Sequence, residues 1–337
     1  MSSKLKFAII GCGKIAPRHA VEMIKHGQLA AVCDILKKNA DDLSRLYNAR
    51  AYYSVDDLLR EEDAIDIVAV CSPNGLHAAH SIKVLQAGYN VLCEKPLCIT
   101  SADGLAMIDM AKKSRKKLFV VKSTRYNPAL VALKKSIEEK ALGNIYSFQV
   151  NCFWSRPPAY YANSWKGSKS LDGGTLYTQF SHYIDALIWL LGDTRSFSGI
   201  RKNFAHKGII EFEDSGVVAI EMESGVIGGI NWSVNSFQKN MEVSLSILAE
   251  KGSIQIGGEY MNQVRYQQLE GFQPDIADAT GNANDYGFYK GSMSNHDKIY
   301  DNLVKALNDD NYPFANAADG LKTVETIERI YNSVSLS

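Results

Sequence analysis

The sequence predicts an α/β fold in two parts: a doubly wound parallel sheet at the N-terminus, then an α+β domain built on a large, mostly antiparallel open sheet. Three observations lead there. Residues 1–123 alternate short apolar runs with amphipathic stretches, the rhythm of strands joined by crossover helices. Residues 195–270 read instead as hairpins, with alternating strands and glycine at the turns. A chain of 337 residues is also longer than one ordinary domain, so a division into 1–123 and 124–337 is expected.

In chain order, KFAII is a strand whose following helix ends at Gly27, LAAVCD is the second strand, and 37–47 is a helix. A short AYY strand precedes SVDDLLRE, where Ser54 is placed to cap the helix. IDIVAVCS leads to a helix across 76–87 closed by Gly88, YNVLCE leads to a helix at 101–115, and LFVVKS completes the set. These strands are nearly continuous apolar runs, as a sheet covered on both faces requires. Beyond Ser123, a helix at 128–140 precedes the alternating strand IYSFQVNCFW, the loop SRPPAYYANSWKGSKSLDGG and a helix at 175–191. GVVAIEMESGVIGGINWSV turns at Glu223-Ser224-Gly225, and VSLSILAEKGSIQIGG turns at Lys251-Gly252. Residues 271–294 are polar and glycine-rich and too long for a plain connector, so a functional lid or a mobile segment is expected. Helices near 295–308 and 317–334 follow, the second with Leu321, Val324, Ile327 and Ile330 as its buried stripe.

Composition narrows the function. Lys+Arg and Asp+Glu both number 37, which argues against nucleic acid or an anionic membrane as the main partner. No apolar run reaches the ~18 residues of a membrane span, and MSSKLKFAII lacks the apolar core and cleavage site of a signal peptide. The six cysteines form no CxxC pair and read as reduced core residues, so a cytoplasmic location is expected.

Chemistry enters at Gly11-Cys12-Gly13-Lys14-Ile15-Ala16, a GxGxxA loop between the first strand and the first helix. Gly11 permits the tight turn, Gly13 lets backbone approach a pyrophosphate, and Ala16 allows close helix–strand packing. The amides of the helix N-terminus then face the anion. Asp34 ends the second strand 23 residues after Gly11, where a carboxylate can accept hydrogen bonds from the ribose hydroxyls and repel a 2′-phosphate. NAD rather than NADP is therefore the expected cofactor, although a plain helix cap at Asp34 is compatible with the same placement. Ligands of an open parallel sheet bind beyond the carboxyl ends of its strands. That puts Ser72, Pro73, Asn74 and His77 after one strand, and Glu94, Lys95 and Pro96 after the next, beside the cofactor.

The helix at 175–191 carries Phe180, Ile184, Leu187 and Leu191 on one side and Thr178, His182, Asp185 and Trp189 on the other, with Gln179 at the border. A histidine with an aspartate three residues later reads as a base with its orienter, a metal pair or a buried polar contact. Metal is not expected: further ligands at suitable spacing are missing here, and also around His77 and His80.

GCGKIA, CSPNGLHAAH, EKP and DGGTLYTQFSHYIDAL together resemble the glucose–fructose oxidoreductase, inositol dehydrogenase and rhizopine-catabolism (Gfo/Idh/MocA) family, over essentially the whole chain. The resemblance implies a Rossmann NAD domain and a second domain that binds substrate and pairs sheets into homodimers or homotetramers. It implies that Lys95 contacts the sugar hydroxyl being oxidised and the nicotinamide ribose. It also implies that His182, eight residues after Gly174, bonds the same hydroxyl. Thr178 stands where many members carry aspartate, which leaves the base divided between Lys95 and His182. Physically, alcohol oxidation needs a base at the hydroxyl, and desolvation beside an oxidised nicotinamide lowers a lysine toward the useful range.

The loop FWSRPPAYYANSWKG gathers Arg156, Tyr160, Tyr161, Trp165 and Lys166. Aromatic faces stack on a sugar or base and cations hold carboxylate or phosphate, while packing against another subunit suits the same residues. With SFQKN at 236–240 and HDKIYDN at 296–302, the string resembles the branch that oxidises the C3 hydroxyl of UDP-2-acetamido-2-deoxy-glucuronate for bacterial surface polysaccharide synthesis. Arg156, Tyr160, Trp165, Lys166, Thr178 and Gln179 are then substrate contacts beside Lys95 and His182. Alternatives are an inositol or free-monosaccharide dehydrogenase, an NAD-dependent glycosidase, and a non-catalytic NAD-binding regulator. Retention of both Lys95 and His182 speaks against the regulator.

Overall fold

The computed structural model of the chain describes residues 4–271, 283–285, 287, 289–293 and 295–336. In order, the first elements are β1 Leu5–Ile10, α1 Ala16–His26, β2 Gly27–Cys33, α2 Lys37–Tyr47, β3 Arg50–Tyr52, α3 Val55–Glu61, β4 Ile67–Val70, α4 His77–Gln86, β5 Asn90–Cys93, α5 Ser101–Ser114 and β6 Leu118–Val120. After them come α6 Pro128–Glu138, β7 Ile145–Phe153, α7 Pro158–Tyr161 and α8 Ser181–Leu191. The chain then runs through β8 Thr194–Lys202, β9 Ser215–Met222, β10 Ile227–Ser233, β11 Glu242–Ala249, β12 Gly252–Gly257 and β13 Gln263–Leu269. The last elements are β14 Ala283–Asp285, β15 Lys290–Met293, α9 His296–Asn308, α10 Ala317–Ser333 and β16 Ser335–Leu336. The polar segment expected at 271–294 lies largely outside the described residues.

Two compact units form, and both are discontinuous in sequence: Met1–Val121 with His296–Val324, and Lys122–Asn295 with Glu325–Ser337. The sequence reading assigns the whole of 124–337 to the second domain. The fold instead joins α9 to the first unit, because Ile299, Tyr300 and Leu303 are wholly buried and Tyr300 meets Phe7 and His19 edge-on. Apolar periodicity predicts that a helix buries a stripe, but not which sheet it buries the stripe against.

The first unit holds a six-stranded sheet in the order β3-β2-β1-β4-β5-β6, with every neighbouring pair parallel. β1, β4 and β5 are almost entirely buried runs, as a doubly covered parallel sheet demands. Strand order reverses between β1 and β4, and that switch point is where such sheets bind ligand. Gly11 sits there with φ +93°, and an added Cβ would lie 2.5 Å from the Ser72 amide nitrogen, so both backbone angle and space require glycine. Ser54 caps α3 by accepting from the Asp57 amide.

The second unit is built on an eight-stranded sheet in the order β13-β12-β11-β7-β10-β9-β8-β16. Its pairs are antiparallel except β10 with β7 and β16 with β8. Alternation on β9 sorts its two faces: Val218, Ile220 and Met222 are buried, whereas Val217 is 43% exposed. Ile200, Ile227 and Leu248 are also exposed. All six cysteines are free and buried.

Candidate active site

In the first unit the dinucleotide loop has the local structure its sequence implies. Ile15 caps α1 without any side-chain hydrogen bond, and no acidic residue occupies the first turn, which leaves an N-terminus suited to an anion. A Cβ at Gly13 would meet nothing within 4 Å, so its missing side chain serves no internal packing and leaves open room over the loop. Lys14 is exposed, and Ile15 half-buried. Asp34 holds the loop to β2: one carboxylate oxygen accepts from the Cys12 amide at 2.8 Å and the other from the Leu36 amide at 2.8 Å. The residues thus fit a dinucleotide. We expect the protein to bind NAD more tightly than NADP, and Asp34→Ala to narrow that preference by weakening NAD. Titrations of both reduced cofactors by fluorescence check this, and equal wild-type affinities would refute the role of Asp34.

The loops after β4 and β5 are tied together. His77, only 1% exposed, sets Nδ1 2.7 Å from the Pro96 carbonyl oxygen and Nε2 2.8 Å from that of Ser72. Its place is therefore a brace between the Ser72-Pro73-Asn74 turn and the Glu94-Lys95-Pro96 turn, whereas sequence reading makes it a cofactor contact. Asn74 is buried, and the Ser72 hydroxyl meets His80 Nδ1 at 2.9 Å. Lys95 is half-buried, and the Lys95–Pro96 peptide is cis. Glu94, expected beside the cofactor, turns its side chain inward. The residue is 7% exposed and its carboxylate is turned toward His19 and His296, and those three side chains bring ligand-type atoms within 4.8 Å of one another. At 2.9 Å, however, His19 Nε2 and Glu94 Oε1 are at hydrogen-bond length. Nothing in the spacing of residues 19, 94 and 296 signals this cluster; only the docking of α9 on α1 assembles it.

In the second unit the helix expected at 175–191 is two elements: a π-helical turn, Leu176–Phe180, followed by α8. Such turns insert extra backbone into a helix and often mark functional positions. Gly174 precedes it because the Tyr331 hydroxyl occupies the place of a Cβ, and that hydroxyl accepts from the Leu176 amide at 3.0 Å. Tyr331 in turn donates to Glu213 at 2.8 Å. Burial pushes the Glu213 carboxyl up to about 7, offset only in part by donors from Tyr331, Arg201 and Trp232. An unfolded glutamate titrates near 4.3, so the folded state binds the extra proton. That stability is fully present below about pH 4 and is lost as pH rises through about 7. Glu213→Gln should flatten the decline in thermal midpoint between pH 5 and 8; an unchanged slope would contradict this.

The polar side of α8 does not face water. His182 is 8% exposed and places Nε2 3.2 Å from the Ser292 hydroxyl. Asp185, three residues on, grips Lys122 at 2.8 Å and Arg125 through both oxygens at 2.8 and 2.9 Å. Burial alone would raise its carboxyl, but those two cations outweigh burial and hold it below the ordinary range. Thr178 donates to Asp172, a buried acid that also accepts from the Gly167 amide at 2.7 Å.

The aromatic loop is likewise more buried than its sequence suggests. Arg156 is 2% exposed and donates to Gln179 Oε1, Asn240 Oδ1 and the carbonyls of Ser155 and Lys290. Its guanidinium lies over Trp154, Tyr160 and Tyr289. Tyr160 is buried with Tyr161, Ile210 and Phe212, and its hydroxyl accepts from Gln179 Nε2 at 2.8 Å. Trp165 and Lys166 are half-buried, with Lys166 over both Tyr160 and Trp165. The arginine, the glutamine and the tyrosine therefore form one polar network, in which sequence reading sees separate substrate contacts.

Comparison with known proteins agrees with this architecture. The oxidoreductase-family profile described as an NAD-binding Rossmann fold matches residues 5–122, and that described as the family's C-terminal alpha/beta domain matches residues 134–337. The WlbA dehydrogenase of Chromobacterium violaceum, solved with NADH and UDP-GlcNAcA, is 36% identical with a TM-score of 0.90, covering 99% of this chain and 94% of that one. The WlbA dehydrogenase of Bordetella pertussis, solved with the same two ligands, is 33% identical with a TM-score of 0.88, covering 98% and 96%. A levoglucosan dehydrogenase of Pseudarthrobacter phenanthrenivorans is 28% identical over 246 residues, which span 66% of this chain and 62% of that relative.

Proposed function

We propose, from the premise that this chain belongs to the Gfo/Idh/MocA family of NAD-binding oxidoreductases, that it is a sugar dehydrogenase oxidising the C3 hydroxyl of a nucleotide-sugar uronic acid. The substrate proposed is UDP-2-acetamido-2-deoxy-glucuronate, the product its 3-keto sugar, and the setting surface polysaccharide synthesis. The carrying observation is the place of Lys95. It stands half-buried two residues beyond the end of β5, in a sheet whose switch point carries the dinucleotide loop. Likeness to two WlbA enzymes over nearly the whole chain supports the choice of substrate.

Bound NAD supplies the acceptor for the hydride that leaves the carbinol carbon. Lys95, as the neutral amine, takes the hydroxyl proton as the hydride departs from carbon, so the alcohol loses one proton from oxygen and one hydride from carbon and becomes the ketone. His182 is assigned to orient the hydroxyl or relay its proton. Arg156, Tyr160, Trp165, Lys166, Thr178 and Gln179 are assigned to the sugar nucleotide, with Arg156 and Gln179 acting as a prebuilt unit. Homo-oligomerisation through the sheet face bearing Ile200, Val217, Ile227 and Leu248 belongs to the same reading.

Incubation with NAD and a panel of UDP-sugar acids, neutral UDP-sugars, inositols and free monosaccharides, followed at the absorbance of reduced cofactor, tests the substrate. The UDP-sugar acid should give the highest kcat/KM. A preference for inositol or a free sugar would replace this reading with the other branch of the family, to which the levoglucosan enzyme lends some support.

A further inference from the structure

We propose that His19 and His296 are positioning residues for Lys95, acting through the carboxylate of Glu94. The three side chains lie in the first unit, on α1, α9 and the turn after β5, and are 0%, 4% and 7% exposed. A carboxylate this deeply buried is stable only when it is fully hydrogen-bonded. Glu94 Oε1 receives His19 Nε2 at 2.9 Å and His296 Nε2 at 3.4 Å. The other oxygen, Oε2, accepts from the backbone amide of Lys95 at 3.0 Å. One carboxylate thus links two helices to the main chain of the residue proposed as base.

The direction of the hydrogen bonds follows from burial. The Tyr300 hydroxyl lies 2.8 Å from His19 Nδ1, and burial pushes that phenol well above its usual range, so it keeps its proton and donates. Burial also lowers His19, leaving a neutral ring with one N–H. Since Nδ1 accepts from Tyr300, the remaining N–H is on Nε2 and points at Glu94. Burial alone would raise the Glu94 carboxyl, but bonds from His19 and His296 outweigh it and hold the group ionised. Tyr300, His19 and Glu94 then form a chain of one polarity that ends on the Lys95 amide. His19 also lies in the first turn of α1, the helix opened by the dinucleotide loop. The same contact therefore ties the lysine turn to the cofactor helix. A base must stand within a fraction of an ångström of its working position, and a misplacement of ~1 Å can cost ~10² in rate.

This inference rests on the reading of Lys95 as the base, and the test separates the two. The first measurement needs no substrate: amide hydrogen exchange of the peptide spanning residues 93–98 in the full-length protein. His19→Leu should speed exchange at the Lys95 amide at least tenfold, and His19→Gln, which keeps an N–H at similar reach, should restore protection. The second is turnover with NAD and UDP-GlcNAcA. His19→Leu should lower kcat ~10–100-fold with KM for NAD within about threefold, and His19→Gln should recover most of it. If His19→Leu does not fold, Tyr300→Phe, which removes only one hydroxyl, should give a smaller change of the same kind. Unchanged exchange in His19→Leu, or equal loss in the Leu and Gln variants, would overturn the proposal. So would loss of wild-type turnover on dialysis against EDTA with recovery on adding zinc, because the three side chains would then hold a metal. Should exchange respond while Lys95→Ala still turns over normally, the positioning stands and the reading of Lys95 as base fails.

Discussion

Lys95→Ala is expected to lower kcat by about 10²–10⁴-fold while NAD affinity stays within a few-fold. The expectation rests on position. Lys95 follows β5 at the carboxyl edge of the parallel sheet, its backbone amide is fixed by Glu94, and the His77 brace between Ser72 and Pro96 holds the same turn. Losing a surface ion pair would cost at most ~1 kcal/mol and leave chemistry untouched, whereas losing a positioned base removes an interaction made only in the transition state. His182→Ala should also slow turnover, by less, because Lys95 remains. Single-turnover measurements at saturating NAD and UDP-GlcNAcA provide the check. Near-normal rates in Lys95→Ala would reduce Glu-Lys-Pro to a well-placed end of a strand.

Arg156→Ala is the second large effect, and it differs in kind from what the sequence suggests. On sequence alone, Arg156 is a substrate ligand whose loss raises KM. In the structure its guanidinium is almost wholly enclosed by Trp154, Tyr160 and Tyr289, and it donates to four acceptors. Truncation leaves Gln179 Oε1 without its donor, leaves Asn240 Oδ1 with only the Ser155 amide, and opens a void; the lost donor and the void each cost about 1–3 kcal/mol. A total destabilisation on the order of 3 kcal/mol is expected, together with a raised KM, because Gln179 also orients Tyr160. Arg156→Lys keeps the charge but not the planar fork, and should recover only part of the stability. Thermal unfolding of the three proteins decides the matter. Wild-type stability with KM alone changed would return Arg156 to a plain ligand role.

Local patterns were readable without coordinates. The GxGxxA loop, Asp34 at the end of β2, the Ser54 cap, the alternation on β9 and the stripe of α10 all follow from residues near each other in sequence. Backbone sterics, side-chain period and helix capping act over a few residues, so these features survive in the string of letters. The parallel character of the first sheet and the presence of a second, mostly antiparallel one were legible for the same reason. The rest depended on contacts between distant residues. That α9 belongs with the first unit, that Glu94 faces His19 and His296, that His77 braces two loops, and that Tyr331 and Glu213 fix the start of the π turn are decided by which surfaces dock. The same holds for Arg156, whose charge marks it as a ligand in sequence and whose burial makes it part of a network. Burial is a property of the assembled chain. It sets which polar groups must find partners, and a carboxylate or guanidinium shows no sign in its own neighbourhood of the distant residue that will satisfy it.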